Sequence, residues 1–275
     1  DPLGNTTTCT YDQNGNQLTR TVTRDLQEGT EAITTSYVYD SLNRVIQTID
    51  SYGNSTYTEY NAIDKQSASI DKQGNRTEYE YDTSGNLVRT KYPDGTEEVN
   101  TYSSEGRLLS STDRGGNKTL YSYNKIGLLI KTTYPDGTYT STEYDAAGRT
   151  VKKTNELGFA TLYEYDAAGW NTKVTDALGN ETIYEYDGNG NQVKMIDAKG
   201  NTIEFQYDSN DRKIKTIYGD GTSISIEYDL LGRKISETDQ AGNKTRFEYD
   251  PLGRLIKTTD AMGNAYGYGY DELGN

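Results

Sequence analysis

Carboxylates are the only abundant groups in this sequence suited to acid–base chemistry. The 275 residues hold 42 Asp and Glu against 28 Lys and Arg, no histidine, and a single cysteine, Cys9. Without histidine there is no Ser-His-Asp or Cys-His nucleophile and no imidazole-ligated metal. One cysteine allows no internal disulfide or thiolate cluster. Two neighbouring carboxylates can divide the roles of acid and base, and carboxylate and carbonyl oxygens in a turn suit calcium. The candidate for calcium is Asp-x-x-Gly-Asn, as in DALGN (176–180) and DAKGN (197–201). Its spacing matches neither an EF-hand loop nor a nonapeptide calcium β-roll, and turn chemistry accounts for it without metal. A catalytic pair should interrupt a repeat, whereas these acids define one. The expectation is no catalytic residue, no metal site and no cofactor. Trp170 is the remaining candidate, a platform for a sugar or a cargo side chain at a position that mostly holds Arg or Asn. An exposed or wall-packed indole is the simpler role.

The elements that would position these groups recur with one period. After Tyr39, a tyrosine falls at Tyr60, Tyr81, Tyr102, Tyr123, Tyr144, Tyr165, Tyr186, Tyr207, Tyr228, Tyr249 and Tyr270, every interval being 21 residues. Tyr11 belongs to the same set but stands 28 residues before Tyr39. Most of these tyrosines precede Asp, with Asn61, Ser103 and Asn124 in its place elsewhere. Four residues after the tyrosine sits glycine, as at Gly148, Gly169, Gly190, Gly232 and Gly253, with Asn43, Asp64 and Asp211 as the exceptions. Asn and Asp best tolerate a left-handed backbone, so the constraint reads as φ > 0. A second glycine follows each full-repeat tyrosine at fourteen residues, as at Gly179, Gly200 and Gly242. It lies in Asp-x-x-Gly-Asn or in the YPDGT and YGDGT forms. Both glycines predict tight hairpin turns.

Between the turns the pattern alternates. In NKTRFEYD, Thr245, Phe247 and Tyr249 share one face and Lys244, Arg246 and Glu248 the other. The return strand carries an aliphatic residue seven positions past the tyrosine, as at Ile46, Val88, Val193 and Ile214. Period two with Tyr, Thr and Ile is a strand signal. The fold class is therefore all-β, a single array over 1–275 of tandem 21-residue units, each strand, turn, strand, turn. Hydrophobic residues make up only 32%, too few for the core of a compact domain of this length, which would bury roughly three quarters of its unfolded surface. Yet 26 tyrosines exclude ordinary disorder. At ~4.8 Å per strand, thirteen two-strand units would make a ribbon some ~120 Å long. Open twisted sheets rarely exceed about ten strands without curling. The expected sheet is long, antiparallel, one layer thick and curling. The extra residues before Tyr39 centre on Gln27 to Thr30 and predict a longer hairpin over 19–38, projecting by about 10–13 Å. Both ends stop at turns without capping sequence, so the array is expected to be an excerpt of a longer one.

The formal net charge of -14 would repel nucleic acid and anionic lipid heads. No stretch approaches the ~20 apolar residues of a membrane helix, and no signal peptide is visible.

The motif Tyr-Asp-x-x-Gly-Arg, as in YDAAGR (144–149), YDLLGR (228–233) and YDPLGR (249–254), followed by D-x-x-G-N-x-T-x-x-x-Y, closely resembles the YD repeat of the RHS (rearrangement hot spot) proteins. Bacterial RHS toxins, wall-associated proteins, toxin-complex C components and animal teneurins share that unit. The resemblance covers the whole chain. It implies a sheet spiralling into a hollow shell and, in bacterial members, enclosure of a C-terminal toxic domain often released by self-cleavage. It therefore implies a secreted or cell-surface bacterial protein whose partners are its own C-terminal cargo and further repeats. The self-cleaving segment of the family includes Asp-Pro-x-Gly. Here DPLG occurs at 1–4 and 250–253, both in phase with the repeat as ordinary turns. Neither the protease nor the cargo is expected within this chain. The alternative is an extracellular adhesion or glycan-binding array, in which the tyrosines and Trp170 stack on sugars and repetition supplies avidity.

Overall fold

The computed structural model describes residues 6–26, 29–271 and 274. The turn tip at 27–28 and the DPLG turn at 1–4 lie outside the described residues. Among the described residues there are 25 strands, β1 (Thr6–Tyr11) to β25 (Ala265–Gly267), and no helix. They fall into two compact units, Asp1–Tyr139 and Thr140–Asn275. In the first, β1 to β12 (Leu129–Thr133) form an antiparallel meander in which every strand pairs with the next. In the second, β13 (Tyr139–Tyr144) to β25 do the same.

Both turns of the repeat close in the same way. At the first, the Asp166 N–H donates to the Trp170 carbonyl (3.0 Å) and the Gly169 N–H to the Asp166 carbonyl (3.1 Å). At the second, Asp176 and Gly179 repeat this with Asn180 and Asp176, at 2.9 and 3.0 Å. This is a type I turn completed by a residue in the left-handed region. Gly169 and Gly179 have φ of 96° and 83°, and Asn43, Asp64 and Asp211 follow at 61°, 59° and 57°.

Each unit is one layer thick. Among the described residues Ala68 is the only buried apolar one, and Thr90, Ser110, Thr216 and Ser236 are the buried polar ones. Stability must therefore come from the ladder and from contacts between side chains on the same face.

One feature is not visible in the sequence. Tyr186 pairs with Gln192 and Glu185 with Lys194, so Val193 is an extra residue in a β-bulge. Ile46, Val88 and Ile214 occupy the same place in their repeats. The aliphatic position thus lies at a bulge rather than in a regular strand pair, and its fixed spacing from the tyrosine is the spacing of that bulge.

The strands β2 (Gln17–Leu26) and β3 (Gly29–Tyr39) have ten and eleven residues, against five or six from β4 to β24. They pair from Thr19 with Ser36 out to Leu26 with Gly29.

Candidate functional site: the joint between repeats and the two faces of the sheet

The repeated tyrosine does its work on the preceding unit. The Tyr186 hydroxyl donates to the carbonyl of Asn171 at 2.9 Å. Asn171 is the residue that faces Tyr165 across the preceding bulge. Tyr165, Tyr207, Tyr249 and Tyr270 likewise reach the carbonyl fifteen residues back, at 2.8, 2.9, 2.9 and 2.8 Å. Tyr60, Tyr102, Tyr123 and Tyr228 do so at 3.1, 3.2, 2.9 and 3.4 Å. A bulge disturbs the ladder and leaves a backbone acceptor to be satisfied. The phenol of the next repeat satisfies it. Tyr39 confirms that the rule is structural, not numerical. Its hydroxyl reaches Gln17, 22 residues back across the long hairpin, and Gln17 is the partner of Tyr11. Burial raises the pKa of Tyr186 and Tyr207, which keeps both as hydrogen-bond donors.

In six repeats the residue that closes the first turn covers the tyrosine ring of the following repeat. Arg44, Arg149, Arg212, Arg233 and Arg254 place their guanidinium carbons 4.4–5.0 Å from the ring centres of Tyr60, Tyr165, Tyr228, Tyr249 and Tyr270. Trp170 takes this seat over Tyr186, with centroids 5.5 Å apart and planes tilted by 37°. The half-buried indole also lies over Gly190, where an added Cβ would stand 2.9 Å from the ring. At Gly127 the corresponding distance, to the Arg107 guanidinium, is 2.7 Å. Gly190 is therefore required twice, for φ and for the closeness of the indole, whereas at Gly127 the flexible Arg107 side chain can move aside. Where Asn43 and Asp211 replace glycine, their side chains accept hydrogen bonds from Asn16 and Asn191, both at 2.7 Å.

The acid after the tyrosine holds the turn. One oxygen of Asp40 accepts the N–H groups of Leu42 and Arg44, and the other accepts from the Arg44 side chain at 2.6–2.8 Å. Asn61 and Asn124 make only the pair of N–H contacts, to Ile63 with Lys65 and Ile126 with Leu128. The second carboxylate oxygen explains why acid predominates: it holds the side chain four residues on, which in the arginine repeats is the one that covers the next tyrosine. These bonds hold the acids below the usual carboxylate range, chiefly through the side chain of Arg44 on Asp40 and of Asn86 on Asp82. On Asp250 the Arg254 N–H is the main cause. At Gly253, in the second DPLG, φ is 85° and the Asp250–Arg254 bonds are those of the Asp145–Arg149, Asp208–Arg212 and Asp229–Arg233 first turns. The Asp-x-x-Gly-Asn turns work alike: Asp176 accepts from the N–H groups of Leu178 and Asn180 and from the Asn180 amide. Among the described residues no group of three or more acids and cysteines is placed to hold a metal. Cys9 is half-buried.

The register sorts the two faces of the sheet. On the tyrosine face Tyr163, Val174 and Thr182 stand side by side, as do Phe205, Thr216 and Ile224. On the other, Glu143 pairs with Lys152 at 2.9 Å, Glu164 with Lys173 at 2.8 Å, and Glu248 with Lys257 at 2.7 Å. Such exposed pairs are worth about 0–1 kcal/mol each.

Fold and joint together define a tandem β-hairpin repeat protein of 21-residue period. The sequence pattern of the RHS repeat family matches residues 60–97, 102–139, 144–181, 171–202, 186–223, 228–261 and 249–275, more than half of the chain, which belongs to that family. No curated protein sequence matches it. Similar solved structures include TcdB2-TccC3 without its hypervariable C-terminal region (20% identity, TM-score 0.61), TcdB2-TccC3 (20%, 0.60) and TcdB2-TccC3-Cdc42 (19%, 0.59). Each likeness covers 100% of this chain and 18% of the other, and at these identities it is a likeness of fold. The chain thus spans under a fifth of those structures.

Proposed function

We propose that this chain is a structural, non-catalytic run of a longer RHS shell whose curling wall encloses a tethered C-terminal polypeptide. The two units then belong to one array over 1–275, within a secreted or cell-surface bacterial protein. The observation that carries this reading is the joint. Most repeats lock to the one before by a phenol on a bulge carbonyl, and six of them add an arginine or Trp170 over the next ring. The result is a wall that needs no core and grows by repetition, which suits enclosure. A similar structure described as lacking a hypervariable C-terminal region supports a variable passenger at the end of such an array. The family match supports the same role. A glycan-binding array is less well supported, because the Tyr165, Tyr228 and Tyr249 rings are already covered by arginine and Trp170 packs on Tyr186 and Gly190. Among the described residues no helix is long and apolar enough to cross a membrane.

The test is intact-mass analysis of the full-length natural protein, purified natively and then denatured. A separate C-terminal fragment that stays bound until denaturation is the expected result. A single uncut chain with no protected segment would overturn enclosure with cleavage. Binding of glycans by this segment alone would favour the array.

A further inference from the structure

Strand residues of the second unit are segregated by charge. On the tyrosine face, alternation and register place only Lys153, Lys213, Lys234 and Glu237 among the charged strand residues. Lys234 pairs with Glu237 at 2.7 Å, and the Lys213 ammonium lies 5.3 Å from the centre of the Phe205 ring. Lys153 makes no ion pair among the described residues. The opposite face carries the Glu–Lys rows, most of them paired with one another across the strands.

The faces also differ in shielding. On β15 (Ala160–Tyr165) and β17 (Glu181–Tyr186), Leu162 and Ile183 of the charged face are 44% and 36% exposed. The adjoining Thr161, Tyr163, Thr182 and Tyr184 are half-buried. Threonines more shielded than the leucine beside them mean that side chains crowd together on the tyrosine face and spread apart on the other. A hollow of about 780 Å³ opens between the turns at 155–159 and 176–180. The directly paired row Thr142–Lys153–Thr161 and the rings of Phe159 and Tyr163 line it. That volume is within the range that holds a small ligand or a few side chains.

We propose that the tyrosine–threonine face is turned toward the enclosed polypeptide and the glutamate–lysine face toward solvent, which rests on the shell reading above. The occupant is an unstructured polypeptide of no fixed charge. Hydroxyls and aromatic rings offer it many weak contacts, and a face with almost no free charge neither attracts nor repels either sign strongly. This suits a passenger that varies in sequence, such as the hypervariable region named for one similar structure. The charged rows, mostly paired with one another, suit a face turned to water.

The experiment uses the full-length protein with a photo-cross-linking amino acid at one position at a time, Thr161 or Thr182 on the tyrosine face and Glu164 or Glu185 on the other. Limited proteolysis of the same samples reports whether the C-terminal polypeptide is protected. With protection, cross-links to that polypeptide several-fold stronger from Thr161 and Thr182 are the expected result. Protection with cross-links mainly from Glu164 and Glu185, or from neither face, overturns the face assignment and leaves enclosure standing. Loss of protection in the unsubstituted protein overturns enclosure and the face assignment with it.

Discussion

At the scale of the residue, the joint between Trp170 and the next repeat combines a phenol, the side chain five positions after the preceding tyrosine, and at Gly190 a glycine hydrogen where a Cβ would meet the indole. Replacing Tyr207 by Phe removes only the hydroxyl that donates to the Gln192 carbonyl at 2.9 Å. The expected loss is about 1 kcal/mol, with the carbonyl's own desolvation on top if water does not replace the phenol. A urea titration would show a lower midpoint at unchanged slope, and an unchanged midpoint would mean that the bond contributes nothing net. Two glycines separate backbone from contact. Gly179 and Gly190 both have positive φ, 83° and 92°. Nothing lies within 4 Å of a Cβ built on Gly179, whereas Trp170 lies 2.9 Å from one on Gly190. Gly179→Ala should cost about 1–2 kcal/mol, the left-handed penalty. Gly190→Ala should cost more, and adding Trp170→Asn should bring it back to the Gly179→Ala value, a coupling that a double-mutant cycle reads directly. Equal costs for the two single variants would remove the contact from the account.

At the scale of the element, turns and strands were legible because each rests on local chemistry. Asn43, Asp64 and Asp211 are residues that accept φ > 0, so their substitution for glycine exposed the turn before any coordinates. Strand alternation exposed which residues share a face. The bulge was not legible. Val193 reads as one more aliphatic in a strand, and nothing local marks that Gln192 and Val193 together oppose Tyr186. The destination of the Tyr186 hydroxyl, a carbonyl fifteen residues away, was hidden for the same reason: it depends on pairing between strands. The second requirement on Gly190 was hidden too, since it is set by a side chain twenty residues earlier. Period and bulge together constrain length strictly. Deleting 166–186 joins Tyr165 to Asp187 and returns every later residue to an equivalent place. Deleting 166–185 leaves one residue too many, which must either be bulged out or turn the next strand over. The first deletion should keep the β-sheet circular dichroism and shift Tm by no more than the loss of one repeat, while the second should lower Tm further and broaden the transition. Identical melting of the two would show that register is not what ties one hairpin to the next.

At the scale of the whole molecule, stability is a sum over repeats and their joints, because each unit is a single layer with almost nothing buried. The acids at the turns recur throughout that sum, which makes acidification its most general probe. Asp40, Asp82, Asp176, Asp187, Asp239 and Asp260 are all held below their ordinary range, mainly by hydrogen bonds from the side chain four residues on. A group whose folded pKa lies below its unfolded value stabilises the fold fully above the unfolded value, near ~3.9 for Asp. That contribution disappears as pH falls through the folded value, because the unfolded chain then binds more protons. Neutralisation also relieves repulsion within a chain of net charge -14, but only until the 28 lysines and arginines prevail and the charge changes sign. The two effects therefore oppose one another on first acidifying and act together once the turn acids protonate. Tm measured from pH 7 downward should stay level or rise slightly to about pH 5, then fall steeply below about pH 4, with many protons taken up per unfolding event. Asp239→Asn keeps an acceptor for the two turn N–H groups and removes one titrating site, so it should lower Tm at pH 7 and make the fall below pH 4 shallower. A Tm that kept rising to pH 2 would mean that charge repulsion, and not the hydrogen-bonded turn carboxylates, governs how this wall responds to acid.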